Sequence, residues 1–97
     1  MIKKSQTDKK TKKKAITFKL FAPLAQKVAV AGNFNNWDPN SLLAKKDSDG
    51  NWTAKVNLSN GRYEYKFVVD GNWIEDPNSK LRVPNPLGSQ NSVLEIK

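Results

Sequence analysis

The stretch GRYEYKFVVDGNW, residues 61–73, decides the fold of this chain. Up to residue 69, large apolar side chains occupy every second position, which is typical of a β-strand with one buried face. The dipeptide Asp70-Gly71 then predicts a two-residue hairpin turn, after which the chain returns antiparallel to the first strand. The inner face of this strand is expected to carry Tyr63, Tyr65, Phe67 and Val69.

The register of this hairpin places one tryptophan on the outside. A two-residue turn pairs Val68 with Trp73 and Phe67 with Ile74, and paired residues lie on the same face of a sheet. Since Phe67 belongs to the inner face, Trp73 falls on the outer face, beside Val68 and diagonal to Lys66. An exposed tryptophan next to a lysine favours a binding surface, although a tryptophan covered by the following loop is the alternative.

Apolar and polar residues also alternate in the segments of the sequence before and after this hairpin. Residues 76–88 carry three prolines and are predicted mostly as loop. About seven short strands without a helix predict an all-β fold, with two antiparallel sheets packed as a sandwich. The predicted strands lie at residues 15–22, 28–34, 52–58, 62–69, 73–74 and 94–96, and a further short strand, third in chain order, opens at Leu42 and Leu43.

Most of the aromatic residues have the spacing of core positions. Trp52 is in phase with Ala54 and Val56 and is therefore predicted to be buried. Trp37 lies in a polar loop, where periodicity predicts nothing. The other aromatic residues predicted for the core are Phe18, Phe34, Tyr63, Tyr65 and Phe67.

The net charge of +8 is concentrated at the N-terminus. Residues 1–14 hold seven lysines and one aspartate, a net charge of +6, which leaves +2 for residues 15–97. We predict a disordered Lys-rich tail over residues 1–14 and one folded domain over residues 15–97. We expect such a tail to aid solubility or to bind polyanions loosely, whereas the body lacks the basic stripe of specific nucleic-acid recognition.

The composition excludes several classes of function. The sequence has no Cys and no His, which removes Cys and His nucleophiles, disulfides and nearly all zinc sites. The acidic residues are scattered over turns and outer faces instead of forming the carboxylate pair of a glycosidase. No apolar run suits a signal peptide or a membrane span. We expect a cytoplasmic, non-catalytic chain without a metal site or a cofactor.

Sugar chemistry suits a small domain with a surface site. A flat indole covers the apolar C–H face of a glucose ring, while lysine and asparagine hydrogen-bond the hydroxyls at its rim. Neither interaction demands a deep pocket, so a polymer can pass over the surface.

Four sequence blocks carry a resemblance to a known family: VAGNFNNW at residues 30–37, the hairpin at residues 61–73, Asp76-Pro77, and LGSQNS at residues 87–92. Together they resemble the family 48 carbohydrate-binding modules. That family includes the glycogen-binding domain of the AMP-activated kinase β subunit and the N-terminal early-set domains of isoamylase and of branching and debranching enzymes. The resemblance implies an immunoglobulin-like early-set sandwich that binds α-1,4-linked glucans such as glycogen, starch and maltooligosaccharides.

The resemblance also implies a set of binding residues. Two tryptophans form the sugar platform, a lysine and an asparagine hydrogen-bond the ligand, and a leucine reaches into the glucan. A serine stands where the kinase domain has threonine and keeps the hydroxyl. The matching positions are Trp37, Lys66, Trp73, Leu87, Ser89 and Asn91.

Two other functions stay open at this point. The chain could be an immunoglobulin-like module that docks on a protein and binds sugar weakly or not at all, or it could bind nucleic acid through its tail. We expect an α-glucan as the partner, together with a glycogen-metabolism enzyme or a kinase subunit. We expect neither a membrane nor a specific nucleic acid.

Overall fold

A computed structural model describes residues 13–97, which form eight β-strands and no helix. A membrane-spanning helix is accordingly absent from this part of the chain. The predicted disordered tail lies outside the described residues except for Lys13 and Lys14. These two residues already belong to the first strand, where they pair with Ser59 and Leu58. The strand thus begins two residues before the predicted start of the domain at Ala15.

The prediction of an all-β fold is confirmed. One short strand, β3, lies slightly downstream of its predicted position, and another, β7, lies inside the predicted loop. The last strand begins four residues earlier than expected. In chain order the strands are β1 Lys13–Phe21, β2 Val28–Gly32, β3 Lys45–Lys46, β4 Asn51–Ser59, β5 Gly61–Val69, β6 Asn72–Ile74, β7 Arg82–Pro84 and β8 Gln90–Ile96.

The described strands form two antiparallel sheets. The smaller sheet has the order β1-β4-β3, and the larger has the order β2-β5-β8-β7, with β6 also paired to β5. The hairpin register is confirmed, since Val68 pairs with Trp73 and Phe67 with Ile74. Strand β5 therefore pairs with β2, β6 and β8. The outer face of β5 lies at the centre of the outer surface of the larger sheet.

The core lies between the two sheets and is rich in aromatic rings. The ring centroids of Phe18 on β1 and Tyr65 on β5 are 4.8 Å apart. Trp52 is only 7% exposed, and its indole N–H donates to the carbonyl of Ala22 at 2.8 Å. The prediction that Trp52 belongs to the core is therefore confirmed.

A buried cluster of hydrogen-bonded residues holds the segment after β6 against the larger sheet. The Tyr65 hydroxyl donates to the Asp76 carboxylate at 2.6 Å, and the Asp76 backbone N–H donates to Ser92 Oγ at 2.9 Å. Burial, assisted by the hydrogen bond to Asp76, raises the pKa of Tyr65 well above its ordinary value of 10.0. Because these groups satisfy one another away from water, they fix the chain between β5 and β8.

Candidate functional site

The outer face of the larger sheet is organised by strand register. Ala29 of β2, Val68 of β5 and Trp73 of β6 form one row across three strands. In the next row Ala31 of β2 pairs with Lys66 of β5. Two small residues thus lie on one side of β5, and Trp73 stands on the other side with 43% of its surface exposed.

The loop after β2 turns sharply to bring Trp37 over this face. A Cβ on Gly32 would lie 2.5 Å from the carbonyl oxygen of Glu64, so only glycine permits this close approach. The Asn35 side chain accepts from the Gly32 N–H at 3.0 Å and donates to the Val30 carbonyl at 3.0 Å. The Trp37 N–H then donates to the Gly32 carbonyl at 2.8 Å.

Two consecutive residues of this loop have left-handed backbones. Asn36 and Trp37 both have φ of 58°, a conformation that is unfavourable for a bulky residue. The cost is offset by packing, because Trp37 lies against the buried outer-face residues Ala29, Ala31 and Val68. Larger side chains at the two alanines would lift the indole off the sheet.

The loop between β7 and β8 is built around Asn85. Its Oδ1 accepts the backbone N–H groups of Leu87 at 3.0 Å and Ser89 at 3.2 Å, which is the usual role of asparagine in a turn. Gly88 completes the turn with φ of 87°. The loop holds the Leu87 side chain away from the protein, with 91% of its surface exposed.

Polar side chains form a connected network between β5, the loop after β7 and the start of β8. Lys66 as a whole residue is only 9% exposed, and its ammonium donates to Ser89 Oγ at 2.8 Å. Asn91 is also buried, and its side chain donates to Glu64 Oε1 at 3.0 Å. Asn85 Nδ2 donates to both Ser89 Oγ and Asn91 Oδ1. These bonds fix where the charged and amide groups lie before any ligand arrives.

These groups surround one concave pocket of about 410 Å³, here called the platform pocket. Five of the six predicted site residues line it. The sixth, Ser89, is not among the lining residues and reaches the pocket through its hydrogen bond to Lys66. The lining residues are Trp37, Glu64, Lys66, Trp73, Asn85, Pro86, Leu87 and Asn91.

Three lining residues were missed by the sequence reasoning. Glu64 could have been found, because strand alternation places it on the same face as Lys66. Asn85 and Pro86 lie in the proline-rich segment, where the sequence signals only a turn. The asparagine is a normal turn former there, and its hydrogen bonds to site residues come from tertiary structure.

The arrangement suits binding more than bond cleavage. Within residues 13–97, Glu64 is the single carboxylate that lines the pocket, whereas hydrolysis of a glycosidic bond normally uses two carboxyl groups on opposite sides of that bond. The pocket instead combines two indoles, an ammonium, two amides and one carboxylate. Such a set can stack on apolar ring faces and can both donate to and accept from hydroxyls.

Comparison with known proteins places this geometry in context. Residues 15–97 match the family model described as the glycogen recognition site of AMP-activated protein kinase. The chain is 38% identical over 72 residues to 5'-AMP-activated protein kinase subunit beta-1 of Sus scrofa, and 38% identical over 72 residues to that of Rattus norvegicus. It is 36% identical over the same length to subunit beta-2 of Mus musculus.

The similarity covers most of this chain but only part of each relative. The aligned segment is 74% of this chain, 56% of the Sus scrofa protein and 25% of the Rattus norvegicus protein. The chain therefore spans from about a quarter to somewhat over half the length of these curated relatives.

Proposed function

The chain belongs to the family of glycogen recognition domains of AMP-activated protein kinase, and from this premise we propose that it binds α-1,4-linked glucans in the platform pocket without catalysing a reaction. The observation that carries the proposal is the meeting of Trp37, Trp73 and Leu87 around one pocket. They come from three separate parts of the chain.

The apolar groups are arranged to receive sugar rings. Trp37 is supported from below by the sheet, whereas Trp73 is exposed at the end of its hairpin and Leu87 is almost wholly exposed on its loop. Exposed apolar side chains that converge on a concavity are typical of a binding site. Indole rings suit the C–H faces of glucose, and the leucine can fill the hollow of a curved chain.

The polar groups favour a neutral, hydroxyl-rich ligand. Among the described residues that line the pocket there is one ammonium, that of Lys66, and one carboxylate, that of Glu64, and these two charges balance. A polyanion would meet the carboxylate and a polycation would meet the ammonium. Sugar hydroxyls both donate and accept, and they can hydrogen-bond to both groups and to Asn91.

The proposal includes the setting of the domain. The relatives named above are kinase subunits, so we propose that this domain brings a kinase subunit or a glycogen-metabolism enzyme to the polysaccharide. An open pocket leaves much of a ligand in water, which implies a single-site dissociation constant on the order of micromolar to millimolar. Glycogen is expected to bind more tightly by presenting many chain ends at once.

Titration with α- and β-linked oligosaccharides in parallel tests the proposal. Maltoheptaose should bind in isothermal titration calorimetry and shift the NMR signals of Trp37, Lys66, Trp73 and Asn91. Cellohexaose should bind poorly, because its extended β-linked chain does not follow a curved platform. A pull-down on glycogen, with cellulose as the control polymer, gives the same comparison for polysaccharides.

The protein-docking alternative makes the opposite prediction. If millimolar maltoheptaose shifts none of these signals in the folded chain, the glucan proposal fails. The exposed Trp73 and Leu87 would then be candidate contacts for a protein partner.

A further inference from the structure

We propose that a second pocket, on the other side of Trp73, binds the glucosyl units that continue a chain seated in the platform pocket. This inference rests on the proposed function of the platform pocket. The second pocket has a volume of about 210 Å³, and Trp73 lines both pockets. The indole is therefore their shared wall, and a glucan that stacks on it has space on either side.

The floor of the second pocket continues the apolar surface of the platform. Ala29 and Val68 form this floor, and they belong to the same cross-strand row as Trp73. Both residues are buried, and Trp37 packs against them. The apolar surface that a chain meets on leaving the platform pocket is therefore mainly that of Trp73, which is 43% exposed and whose indole suits a sugar face.

The rim of the second pocket offers hydrogen-bonding groups on well-fixed backbone. The backbone N–H of Lys27 donates to Asp70 Oδ1 at 2.8 Å, and that of Asn40 donates to Asp38 Oδ1 at 2.8 Å. The Lys27 ammonium donates to Asn40 Oδ1 at 3.3 Å, and both residues are exposed. A long bond between exposed groups is weak, so sugar hydroxyls can replace it at small cost.

The remaining lining residues of the second pocket come from two turns. Pro39 and Asn40, from the loop after Trp37, face the turn at Gly71. An apolar floor with an amide and an ammonium at the rim repeats, on a smaller scale, the chemistry of the platform pocket. The ligand class is therefore the same: an α-linked glucan chain, held through ring faces and hydroxyls.

Two pockets in series predict a particular dependence on chain length. Short maltooligosaccharides occupy the platform pocket alone, so the second pocket adds nothing to their affinity. Longer ones extend past Trp73 and gain the contacts with Lys27 and Asn40. A net contribution of about 1 kcal/mol from these hydrogen bonds corresponds to about a five-fold gain in affinity.

The test uses the full chain carrying Lys27→Ala together with Asn40→Ala, which removes both partners of the rim hydrogen bond and leaves neither unpaired. Dissociation constants are measured by calorimetry for maltotriose through maltoheptaose. The matched control is Lys19→Ala, an exposed lysine on β1 of the opposite sheet. Circular dichroism and thermal unfolding check that each variant is folded.

We expect the double variant to bind the shortest oligosaccharides like the wild type and to lose about five-fold affinity for the longest. In the wild type, the amide signals of Asn40 and Gly71 should shift only with the longer ligands. Wild-type affinity of the double variant at every length would overturn the second pocket and leave the platform pocket intact. Equal losses at every length would also overturn it, since the residues would then act on the platform pocket. If the wild type binds no oligosaccharide, the proposed function itself fails.

Discussion

Replacing Trp73 by alanine tests the platform without disturbing the fold. Its side chain is 43% exposed, and its backbone pairing with Val68 does not depend on the indole. The matched control is Trp52→Ala, because Trp52 is buried and its N–H is hydrogen-bonded to Ala22. The same chemical change should therefore alter affinity at one position and stability at the other.

The exposed area sets the size of the expected effect. A tryptophan side chain presents up to about 250 Å², so the exposed 43% of Trp73 offers on the order of 100 Å² to a sugar ring. At about 25 cal/mol per Å² this area corresponds to about 2.5 kcal/mol. That figure is an upper bound, because a ring covers only part of the indole. We expect a loss of about 1–2.5 kcal/mol, or about 5- to 60-fold in Kd.

Calorimetry with maltoheptaose measures the affinity, and urea unfolding measures the stability. Trp73→Ala should lower the urea midpoint less than Trp52→Ala does, because 43% of Trp73 is already exposed whereas Trp52 is only 7% exposed. Trp52→Ala should lose about 3–5 kcal/mol of unfolding free energy, a large share of the roughly 5–15 kcal/mol typical of a small domain. Unchanged maltoheptaose affinity in the folded Trp73→Ala variant would refute the assignment of Trp73 to the platform.

Three further predictions concern other positions. Leu87→Ala should weaken maltoheptaose binding about three- to ten-fold. The control is Leu24→Ala, which removes an equally exposed leucine outside the platform pocket and should leave the Kd unchanged. Equal effects of the two substitutions on the Kd would contradict a role for Leu87. Ser89→Ala should weaken binding by a few fold, since the Lys66 ammonium loses its hydroxyl partner, and Ser89→Thr should restore the wild-type Kd in the same titration. Tyr65→Phe should cost about 1–3 kcal/mol of unfolding free energy at neutral pH, because a buried carboxylate loses a donor. Since the folded-state pKa of Tyr65 is raised above 10.0, its contribution is fully present below that pH and is lost as the pH rises toward the folded-state pKa. The urea midpoint should thus fall less steeply with alkaline pH in Tyr65→Phe, and parallel pH profiles for variant and wild type would contradict this.

Local signals made the hairpin of β5 and β6 predictable from sequence. Alternation and the Asp70-Gly71 turn each depend on a few adjacent residues, and together they determine the register that places Trp73 outside. The two short strands β3 and β7 lack such a signal at the residues where they form. Each has only two or three residues and exists because a longer neighbour, β4 or β8, offers a free edge.

The residues of the candidate site fall into the same two groups, those predictable from local sequence and those whose position depends on tertiary structure. Lys66 and Trp73 follow from alternation and register, and Glu64 would have followed by the same argument. Trp37 needed the family resemblance, because its position depends on two left-handed residues and on the close approach at Gly32. The place of Asn85 in the site likewise depends on its hydrogen bond to Asn91, which only the folded chain provides.

The order of the strands along the chain sets when the platform pocket can exist during synthesis. Trp37 leaves the ribosome early, but Leu87 and Asn91 follow about fifty residues later, and Asn91 takes its place only when β8 pairs with β5. Pairings between distant segments form late, because the intervening chain must first be closed into a loop. A nascent chain that stops short of β8 therefore lacks the Asn91 side of the pocket. Capture on a glucan resin would consequently report that translation and folding of this domain are complete.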